Sequence, residues 1–408
     1  MDFDDTMDLV IIILLLNEAR KYLDIISNGH RPHTRKVNES RRPTRRRITR
    51  NPQDCEGGDT LFAQYFDKIC QSDPEGFRSS VHMSQAAFEL LFNLVELDLF
   101  KCSMRQGITP KCRLFITLLY LANGNSKKML PSAFELGLPF VRRIVSETCE
   151  VLWNSLSDTY LPMKQSADWV ELSRQFESKL ELPNCVGAID TRTIELSSPN
   201  KKGRYSVAIL ATCDANYTFT GIDAVVFRRK DYDYTWGLDF ADNLFEGGLN
   251  LPEDKILPNS EIEFPYYFVG DNVCPLKPHI MRLYPGKPLS QRREIFNSRL
   301  DRARQVIDNA FGILAARWRI LANPLNLSPR NMQQVLKATL LLHNFARTHD
   351  STYCPPGYVD RYEGDTLFPG DWRDEIIPLE ETKRFYSNNA TQSAYKLRDS
   401  LSEYFENN

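Results

Sequence analysis

The feature that most constrains the fold of this sequence is a pair of apolar, strand-like runs that each end in an aspartate. Asp190 ends the run 185–189, and Asp271 ends the β-rich run 266–270. A third aspartate, Asp308, lies inside a long helical stretch. Two acids at strand ends and one on a helix converge when that helix packs against the sheet. The sequence therefore predicts a mixed α/β fold with a cluster of three carboxylates.

Such a cluster indicates metal-assisted phosphodiester chemistry. Hard cations such as Mg²⁺ prefer oxygen ligands and keep several waters, so a few converging acids leave room for a phosphate. Taken singly, a strand-end Asp often forms a turn, and a helix Asp flanked by Arg304 and Asn309 often forms a solvated ion pair. The sequence contains no Ser/His/Asp triad, Walker loop or glycine-rich nucleotide motif that would support another class of hydrolase.

Four segments have the composition of β-strands, and helical periodicity follows them to about Arg347. These segments are residues 186–189, 205–212, 218–227 and 266–269. Consecutive antiparallel strands, then a strand that carries an acid, then a long helix that carries another, is the order of an RNase H-like fold. An apolar stripe from Leu300 to Leu321 predicts that the helix is pinned to the sheet with Asp308 at the edge of the stripe. Gly312, one turn further, fits a position that another group approaches closely, and a packing contact with a strand explains it equally well.

Helical periodicity before these strands predicts an all-helical domain over residues 56–165, followed by the sheet-containing domain over residues 166–348. Within the first domain, Thr109 and Pro110 supply a cap and a first-turn proline for a helix that ends near Gly124. The whole protein is therefore expected to be an α/β protein in which a mixed sheet flanked by helices follows a helical domain.

Residues 130–150 have the pattern of a helix, a turn at Gly137 and a second helix, which is the shape of a helix-turn-helix. In DNA-binding versions the second helix enters the major groove through its first residues, which here include Arg142 and Arg143. A plain structural pair of helices explains the same spacing. The sequence leaves both interpretations open.

The two ends of the chain lie outside these domains. The apolar run 9–16 predicts an amphipathic helix within residues 1–28. Its apolar side exceeds what a lone helix can hide, so we expect it to pack on the body of the protein or on a partner. Residues 29–55 are predicted to be a disordered basic linker, and residues 349–408 a C-terminal extension that ends in a helix.

Arginines are concentrated in the basic linker, where Arg45, Arg46 and Arg47 are consecutive. Such density matches nuclear-import and phosphate-binding segments, although a run of this kind is sometimes merely solvated. We therefore expect a nuclear protein that contacts DNA through these residues. The formal net charge of −2 over 408 residues is not an opposing signal, because any basic surface has to be local.

Cysteine, hydropathy and histidine patterns indicate which cellular environment and which kinds of site the chain is expected to have. The nine cysteines include no Cys-x-x-Cys pair, so reduced core thiols are expected and a zinc site is disfavoured. The run 9–16 is too short to span a bilayer and follows an acidic stretch, so we expect a soluble intracellular protein without a membrane segment. His343 lies in an apolar helix and is expected to be a hydrogen-bonded core residue.

Short motifs occur in a fixed order from about residue 57 to the end of the chain. They are residues 77–78 with 82–84, 108–110, 118–124, 183–190, 249–252, 269–271 with 275–278, 284–286, 307–314, 342–345, and 398–399 with 404–405. In this order they resemble the PIF/Harbinger transposases and the nucleases derived from Harbinger transposases, which are members of the DDE endonuclease superfamily. Each motif is weak alone, whereas the ordered set is specific.

The resemblance implies roles for four acids. Asp190 matches the first acid of the family motif, Asp271 matches the strand-end acid, and Asp308 stands where the family has a helix glutamate. The family also carries an acid shortly after its third strand, for which Asp231 is the nearest match and Asp233 the competitor. By resemblance, Asp190, Asp231, Asp271 and Asp308 are the expected catalytic residues and ligands of Mg²⁺ or Mn²⁺.

This chain departs from the family pattern at three places near these acids. After the first acid the family has Gly, a basic residue and His, where this chain has Thr191, Arg192 and Thr193. Residues 230–234 are rebuilt as Lys-Asp-Tyr-Asp-Tyr, and Asp308 is shorter than Glu by one methylene. A catalytic group misplaced by about 1 Å lowers a rate by on the order of 100-fold.

Two functions follow, and the sequence does not decide between them. The first is a Harbinger-type endonuclease in which two Mg²⁺ or Mn²⁺ ions assist in-line cleavage of DNA phosphodiester bonds. The second is a domesticated, catalytically weakened relative that keeps its association with DNA or chromatin. The resemblance also implies a separate Myb/SANT-like DNA-binding partner, for which residues 9–16 offer a docking surface, and it leaves oligomerisation open.

Overall fold

The structure is a computed structural model of the chain. It describes residues 66, 69–70, 72–103, 108–124, 138–197, 204–228, 231–236, 238–271, 273–322, 327–364, 366–376, 378–381 and 390–408. The predicted helix within residues 1–28 and the basic linker with Arg45, Arg46 and Arg47 lie outside the described residues.

Helices occupy the first part of the described chain. They are α1 (Pro74–Val81), α2 (Gln85–Ser103), α3 (Pro110–Asn123), α4 (Leu138–Tyr160) and α5 (Ser166–Leu180). The start and end of α3 follow from its sequence, because the Thr109 side chain accepts the Cys112 N–H at 3.4 Å and Gly124 closes the helix with a positive φ of 68°. The predicted helix from Pro110 to Gly124 is confirmed.

The remaining elements alternate between strands and helices. They are β1 (Cys185–Ser197), β2 (Arg204–Cys213), β3 (Phe219–Arg228), β4 (Asp231–Trp236), α6 (Leu238–Glu246), β5 (Lys255–Ile256), β6 (Glu263–Phe264), β7 (Tyr267–Gly270), β8 (Ile280–Met281), α7 (Gln291–Arg317), α8 (Pro329–His349), β9 (Arg361–Glu363), β10 (Thr366–Phe368), α9 (Trp372–Glu375), β11 (Glu380–Glu381) and α10 (Gln392–Asn407).

The main sheet has the strand order β4-β3-β2-β1-β7-β8, and β11 also pairs with β1. Strands β1 to β4 are antiparallel neighbours, whereas β7 runs parallel to β1 and β8 runs parallel to β7. β1 is therefore the central strand of a mixed sheet. This order agrees with the predicted sequence of antiparallel strands, an acid-bearing strand and an acid-bearing helix.

Helices cover both faces of the sheet, because both faces of its central strands carry buried apolar side chains. On one face, Ala188 and Ile209 belong to the same buried cluster as Ile307 and Leu314 of α7. The other face has its own cluster, which consists of strand residues together with residues of α5 and α6: Val186, Ile189, Leu210, Trp169, Leu172, Ala241 and Leu244. The helix α7 is thereby pinned to the sheet, as its apolar stripe predicts.

The helical part and the sheet part share one core. The buried cluster that contains α7 continues through α8 and α4 into α1, α2 and α3. Its far end is a group of four phenylalanine rings, Phe66, Phe77, Phe88 and Phe115, whose centroids lie 5.4 to 6.2 Å apart. The domain boundary predicted near residue 165 therefore does not separate two cores.

The C-terminal extension ends in a helix, α10, as expected. Its Leu401 and Phe405 pack in one buried cluster with Phe296 and Leu300 of α7. Within the described part of the chain, none of the helices combines the length and the apolarity that crossing a bilayer requires. Burial raises the pKa of the Cys185 thiol to about 12, in keeping with a reduced core cysteine.

Candidate functional site

The centre of the site is the middle of β1, where Asp190 and Arg192 lie two residues apart. Side chains alternate between the faces of a strand, so these two share one face, the face that α7 covers. Asp190 is 2% exposed and Arg192 is 7% exposed. Charges buried this deeply are stable only when they are paired. The partners of Arg192 therefore define the site.

Arg192 joins the acid of the strand to the acid of the helix. Its Nη2 lies 2.5 Å from Asp190 Oδ2, and the same nitrogen donates to Asp308 Oδ1 in a closer ion pair. The guanidinium carbon also lies 5.8 Å from the centre of the Phe311 ring. The Asp308 side chain remains 28% exposed, so it lies at the edge of the buried stripe as predicted.

Asp271 follows β7 and completes the cluster. Gly270 pairs with Ile189 across the two parallel strands. The residues that come next in each strand direction, Asp271 and Asp190, therefore lie side by side. Asp271 Oδ1 accepts the N–H groups of Val273 at 3.0 Å and Cys274 at 3.1 Å. Asp271 therefore also shapes the turn after its strand, which is the ordinary role of a strand-end aspartate.

The three carboxylates influence one another electrostatically. Burial, together with the negative charges of Asp271 and Asp308, raises the pKa of Asp190 to about 8, against the opposing effect of Arg192. The Thr191 N–H also favours the ionised form, because it donates to Asp190 Oδ1 at 2.6 Å. The three acids that the sequence predicts to converge are brought together, with a guanidinium among them.

A C-terminal strap, here defined as residues 358–381, crosses α7 beside this cluster. Asp360 is held by a two-pronged ion pair with Arg373, at 2.7 Å to Nε and 2.6 Å to Nη2, and by Gln305 of α7 at 2.5 Å. Asn309 of α7 accepts the Asp360 N–H at 3.0 Å and the Trp372 indole N–H at 2.9 Å. Gln305 and Asn309 lie on either side of Asp308 in the sequence of α7. The same segment of α7 therefore carries Asp308 and contacts the strap.

The end of the strap pairs with the central strand at Arg192. In β11, Glu381 pairs with Arg192 and Glu380 pairs with Thr193. Gly312 of α7 makes the approach possible, because a Cβ at this position would lie 2.4 Å from the Trp372 ring. The close approach predicted at Gly312 is therefore the contact with Trp372.

A small cavity lies between the strap, α7 and β1. It has a volume of about 130 Å³ and is lined by Arg192, Asp308, Phe311, Gly312, Trp372, Arg373, Pro378 and Leu379. Since a water molecule takes roughly 30 Å³ of liquid, this space holds a few waters rather than a nucleotide.

Asp231 is not brought to the cluster. It begins β4, three strands away from β1, which corresponds to about 14 Å across the sheet. Across the sheet, Asp231 pairs with Arg228, Arg228 with Tyr205, and Tyr205 with Leu196 of β1. Leu196 lies six residues after Asp190, so Asp231 is also displaced by about 20 Å along the strand direction. The expectation that Asp231 or its neighbour Asp233 assists the three acids is corrected by this placement. Sequence spacing alone did not reveal the extra edge strand.

The predicted DNA contacts on the helical part have different surroundings. Arg143 is exposed, and its Nε lies 2.7 Å from Glu147 Oε1. Arg142 is half-buried and forms a hydrogen bond with Tyr120. The second helix of the predicted helix-turn-helix corresponds to α4, which begins at Leu138, whereas residues 130–137 lie outside the described residues. The helix-turn-helix stays a prediction.

The residues present do not fit a divalent metal in this arrangement. The carboxylates are ligands of the right class. The place between Asp190 and Asp308, however, is taken by the guanidinium of Arg192. Within the described residues, no group of three or more Asp, Glu, His or Cys side chains is placed to hold a metal ion.

Arg192 was not among the predicted site residues and stood out in the sequence only because it differs from the family pattern. The alternation of a β-strand is the signal that could have found it, because residues 190 and 192 of one strand share a face. The strap residues Asp360, Trp372 and Arg373 had no comparable signal. The α7 partners of Asp360 and Trp372 lie more than 50 residues away in the sequence, at positions 305, 309 and 312.

Comparison with known proteins gives one family and two curated relatives. Residues 195–344 match the family described as DDE superfamily endonuclease. The chain is 27% identical over 290 residues to the protein ALP1-like of Arabidopsis thaliana, which covers 67% of this chain and 71% of that protein. It is 25% identical over 343 residues to the protein antagonist of like heterochromatin protein 1 of Arabidopsis thaliana, which covers 76% of this chain and 85% of that protein. No solved structure gives a significant match.

Proposed function

We propose that this chain, whose residues 195–344 match the family described as DDE superfamily endonuclease, is a transposase-derived protein that associates with DNA or chromatin without cleaving DNA. The observation that carries this proposal is the position of Arg192 between Asp190 and Asp308. The chain itself supplies the positive charge at the place where the resemblance implies a metal.

Arginine supplies the charge of a cation without its chemistry. A guanidinium stays protonated throughout the physiological pH range and offers only N–H donors, so it pairs with Asp190 and Asp308 through a single positive charge and without an open coordination position. A divalent metal, in contrast, lowers the pKa of a bound water and so generates a nucleophile. The observed pairing therefore supplies part of the positive charge that the acid cluster attracts and omits the group that activates water.

Association with DNA or chromatin is supported by a relative and by the linker. The name of one relative describes an antagonist of a heterochromatin protein. Arg45, Arg46 and Arg47 give the linker the composition of a segment that neutralises phosphates regardless of base sequence. We propose the same three residues as part of a nuclear import signal. Continued nuclear concentration of the triple alanine variant in cells would remove that assignment. The Myb/SANT-like partner stays a proposal that rests on the resemblance.

A metal-dependent endonuclease is the second candidate. The observation that favours it is the convergence of Asp190, Asp271 and Asp308 at one place on the sheet, together with the partial exposure of Asp308. This function requires the Arg192 guanidinium to leave the space between the acids when metal and DNA bind. The two candidates therefore differ in whether Arg192 is a permanent or a replaceable partner.

Two measurements on the full chain test the proposal. With millimolar Mg²⁺ or Mn²⁺, we expect the wild type to nick supercoiled plasmid no faster than Asp190→Asn. In duplex binding measured by fluorescence anisotropy, we expect a steep salt dependence, and the Arg45/Arg46/Arg47→Ala variant should lower the slope of log K against log salt by roughly 3. Metal-dependent nicking that Asp190→Asn abolishes would establish the endonuclease instead. Absence of duplex binding would remove the DNA-association part of the proposal.

A further inference from the structure

The helix α2 has large apolar side chains on two opposite sides. On one side Phe88, Leu91 and Val95 are fully buried in the core. The other side presents the α2 stripe, which we define as four exposed residues: Leu90 at 38%, Leu94 at 46%, Leu97 at 79% and Phe100 at 55% exposure. Single exposed leucines are normal, whereas a continuous row of this kind marks a binding surface.

The spacing of the stripe is that of a helix-packing seam. Leu90, Leu94 and Leu97 stand at i, i+4 and i+7, and Phe100 continues the row one turn later. Residues at these spacings lie one above the other on a helix surface. The row from Leu90 to Phe100 is about 15 Å long at the rise of an α-helix. It is therefore long enough to receive two to three turns of a second helix.

The chain contains a segment that needs such a surface. Residues 9–16 are eight consecutive apolar residues, and they lie outside the described residues. As a helix this run would extend about 12 Å, close to the length of the α2 stripe. We infer that residues 9–16 of the same chain dock on the α2 stripe. Neither apolar surface would then remain in water, which is the driving force for the contact.

The connection between the two surfaces is short enough and starts in the right place. The described chain begins at Phe66, whose ring centroid lies 5.4 Å from that of Phe88 on α2. The segment before Phe66 therefore joins the described chain beside the helix that carries the stripe. Counting only residues 29–65, which follow the predicted N-terminal helix, a flexible chain of about 37 residues would have a root-mean-square span of roughly 30 to 36 Å, which exceeds the length of α2, about 28 Å. The segment can reach every part of the stripe.

The residues next to the two surfaces include one set of opposite charges. Glu96 is exposed on α2 beside Leu97, and Arg20 and Lys21 follow the apolar run within about one turn. Opposite charges at the rim of an apolar contact favour one partner over others more than they add affinity. A contact between these groups would bring both ends of residues 17–65 to the same helix. The arginine-rich linker would then be held as a closed loop on the helical part.

A photo-crosslinking experiment on the full chain tests the inference. Leu97 is replaced by p-benzoyl-phenylalanine, and Tyr395, which is 44% exposed on α10, receives the same replacement as a matched control. Unlabelled and ¹⁵N-labelled chains are mixed before irradiation, and crosslinked peptides are identified by mass spectrometry. We expect crosslinks from position 97 to residues 9–26 between peptides of the same isotope only, and none from position 395 to those residues.

Other outcomes would overturn the inference. Crosslinks from position 97 that join light and heavy chains would show that a second copy covers the stripe. Crosslinks to other segments of the chain, or no crosslink to residues 9–26, would show that the segment does not dock there. Purification with a second protein bound at the stripe, with residues 9–26 uncrosslinked, would assign the surface to a separate partner instead.

A melting experiment gives an independent readout. An exposed leucine that nothing covers tolerates a change to aspartate with little effect on stability. We therefore expect Leu94→Asp/Leu97→Asp and Ile12→Asp/Leu15→Asp each to lower the melting temperature of the full chain by about 2 °C or more. The variant with all four substitutions should melt no lower than the less stable of the two double variants, because both pairs of substitutions remove the same contact. Additive shifts, or no shift, would contradict the docking.

Discussion

At the scale of single residues, the site is defined by which charges share a small buried space. The negative charges of Asp271 and Asp308 act on Asp190, and Arg192 lies between Asp190 and Asp308. Breaking a buried ion pair by removing one partner leaves an uncompensated charge and destabilises a protein strongly. Arg192 is therefore as much a part of the site as the acids, and its removal has a predictable effect on metal binding.

Arg192→Gln should turn the acid cluster into a metal site. Without the guanidinium the ion pairs of Arg192 with Asp190 and Asp308 are lost, and a divalent cation relieves the repulsion among the carboxylates. We expect Mn²⁺ at about 5 mM to raise the melting temperature of Arg192→Gln, by mass action on the folded state. The wild type should respond little, and Arg192→Gln/Asp190→Asn should lose the response. An equal rise in wild type and Arg192→Gln would mean that Arg192 yields its place to metal.

His343 supplies a pH-dependent contribution to stability. Its Nε2 lies 2.8 Å from the Tyr217 carbonyl and its Nδ1 lies 3.1 Å from the Tyr353 hydroxyl, so the predicted core role is confirmed. Burial lowers the pKa of His343 from 6.5 to about 3. The unfolded chain therefore binds a proton that the folded chain does not, between about pH 6.5 and pH 3. This contribution is present above pH 6.5 and is lost as the pH falls towards 3.

We expect the free energy of unfolding, measured with urea, to fall less between pH 7 and pH 5 in His343→Gln than in the wild type. His349→Gln is the matched control on the same helix, because His349 is exposed, and its slope should follow the wild type. If His343→Gln kept the full wild-type slope, the acid sensitivity would have to come from other groups.

At the scale of elements, the strap and α7 form one unit. Gln305, Asn309 and Gly312 lie on successive turns of α7, and each contacts the strap. The long helix thus has one face on the sheet and a second face under the strap, with Asp308 between them. Substitutions in the strap should therefore alter the surroundings of Asp308 in the acid cluster.

A double-mutant cycle on Gly312 and Trp372 tests the packing of the strap. Gly312→Ala places a methyl group 2.4 Å from the Trp372 ring in the present packing and should destabilise by about 1 to 3 kcal/mol. Trp372→Ala should destabilise by about 3 to 5 kcal/mol, because the ring is buried and bonded to Asn309. The combined variant should be no less stable than Trp372→Ala, since the clash disappears with the ring. Simple additivity in urea unfolding would show that the two residues do not share this contact.

At the scale of the whole molecule, one continuous core joins the helices before the sheet to the sheet itself. Residues as distant in the fold as Phe115 and Phe311 belong to the same buried cluster. Parts that share a core are expected to unfold together, because neither part keeps its buried surface without the other. The predicted domain boundary is therefore a change in the type of secondary structure rather than a change of folding unit.

Phe115→Ala should lower the stability of the entire protein. We expect a single thermal transition in both far-ultraviolet circular dichroism and tryptophan fluorescence, with the same midpoint in each, for the wild type and for this variant. The fluorescence signal includes Trp318 and Trp372, which lie after the strands β1 to β8 in the chain. A variant in which the circular dichroism midpoint falls while the fluorescence midpoint stays unchanged would show two folding units.

Features that depend on neighbours along the chain could be predicted from the amino-acid sequence alone. The capping pattern predicted the helix from Pro110 to Gly124, and the strand-end and helix positions of the acids predicted their convergence on the sheet. Only the tertiary structure decided that Arg192 lies between Asp190 and Asp308, that β4 carries Asp231 away to the edge, and that the strap covers α7. The physical reason is that strand order, register and long-range packing bring together residues from distant parts of the chain, and local periodicity contains no information about which of them meet.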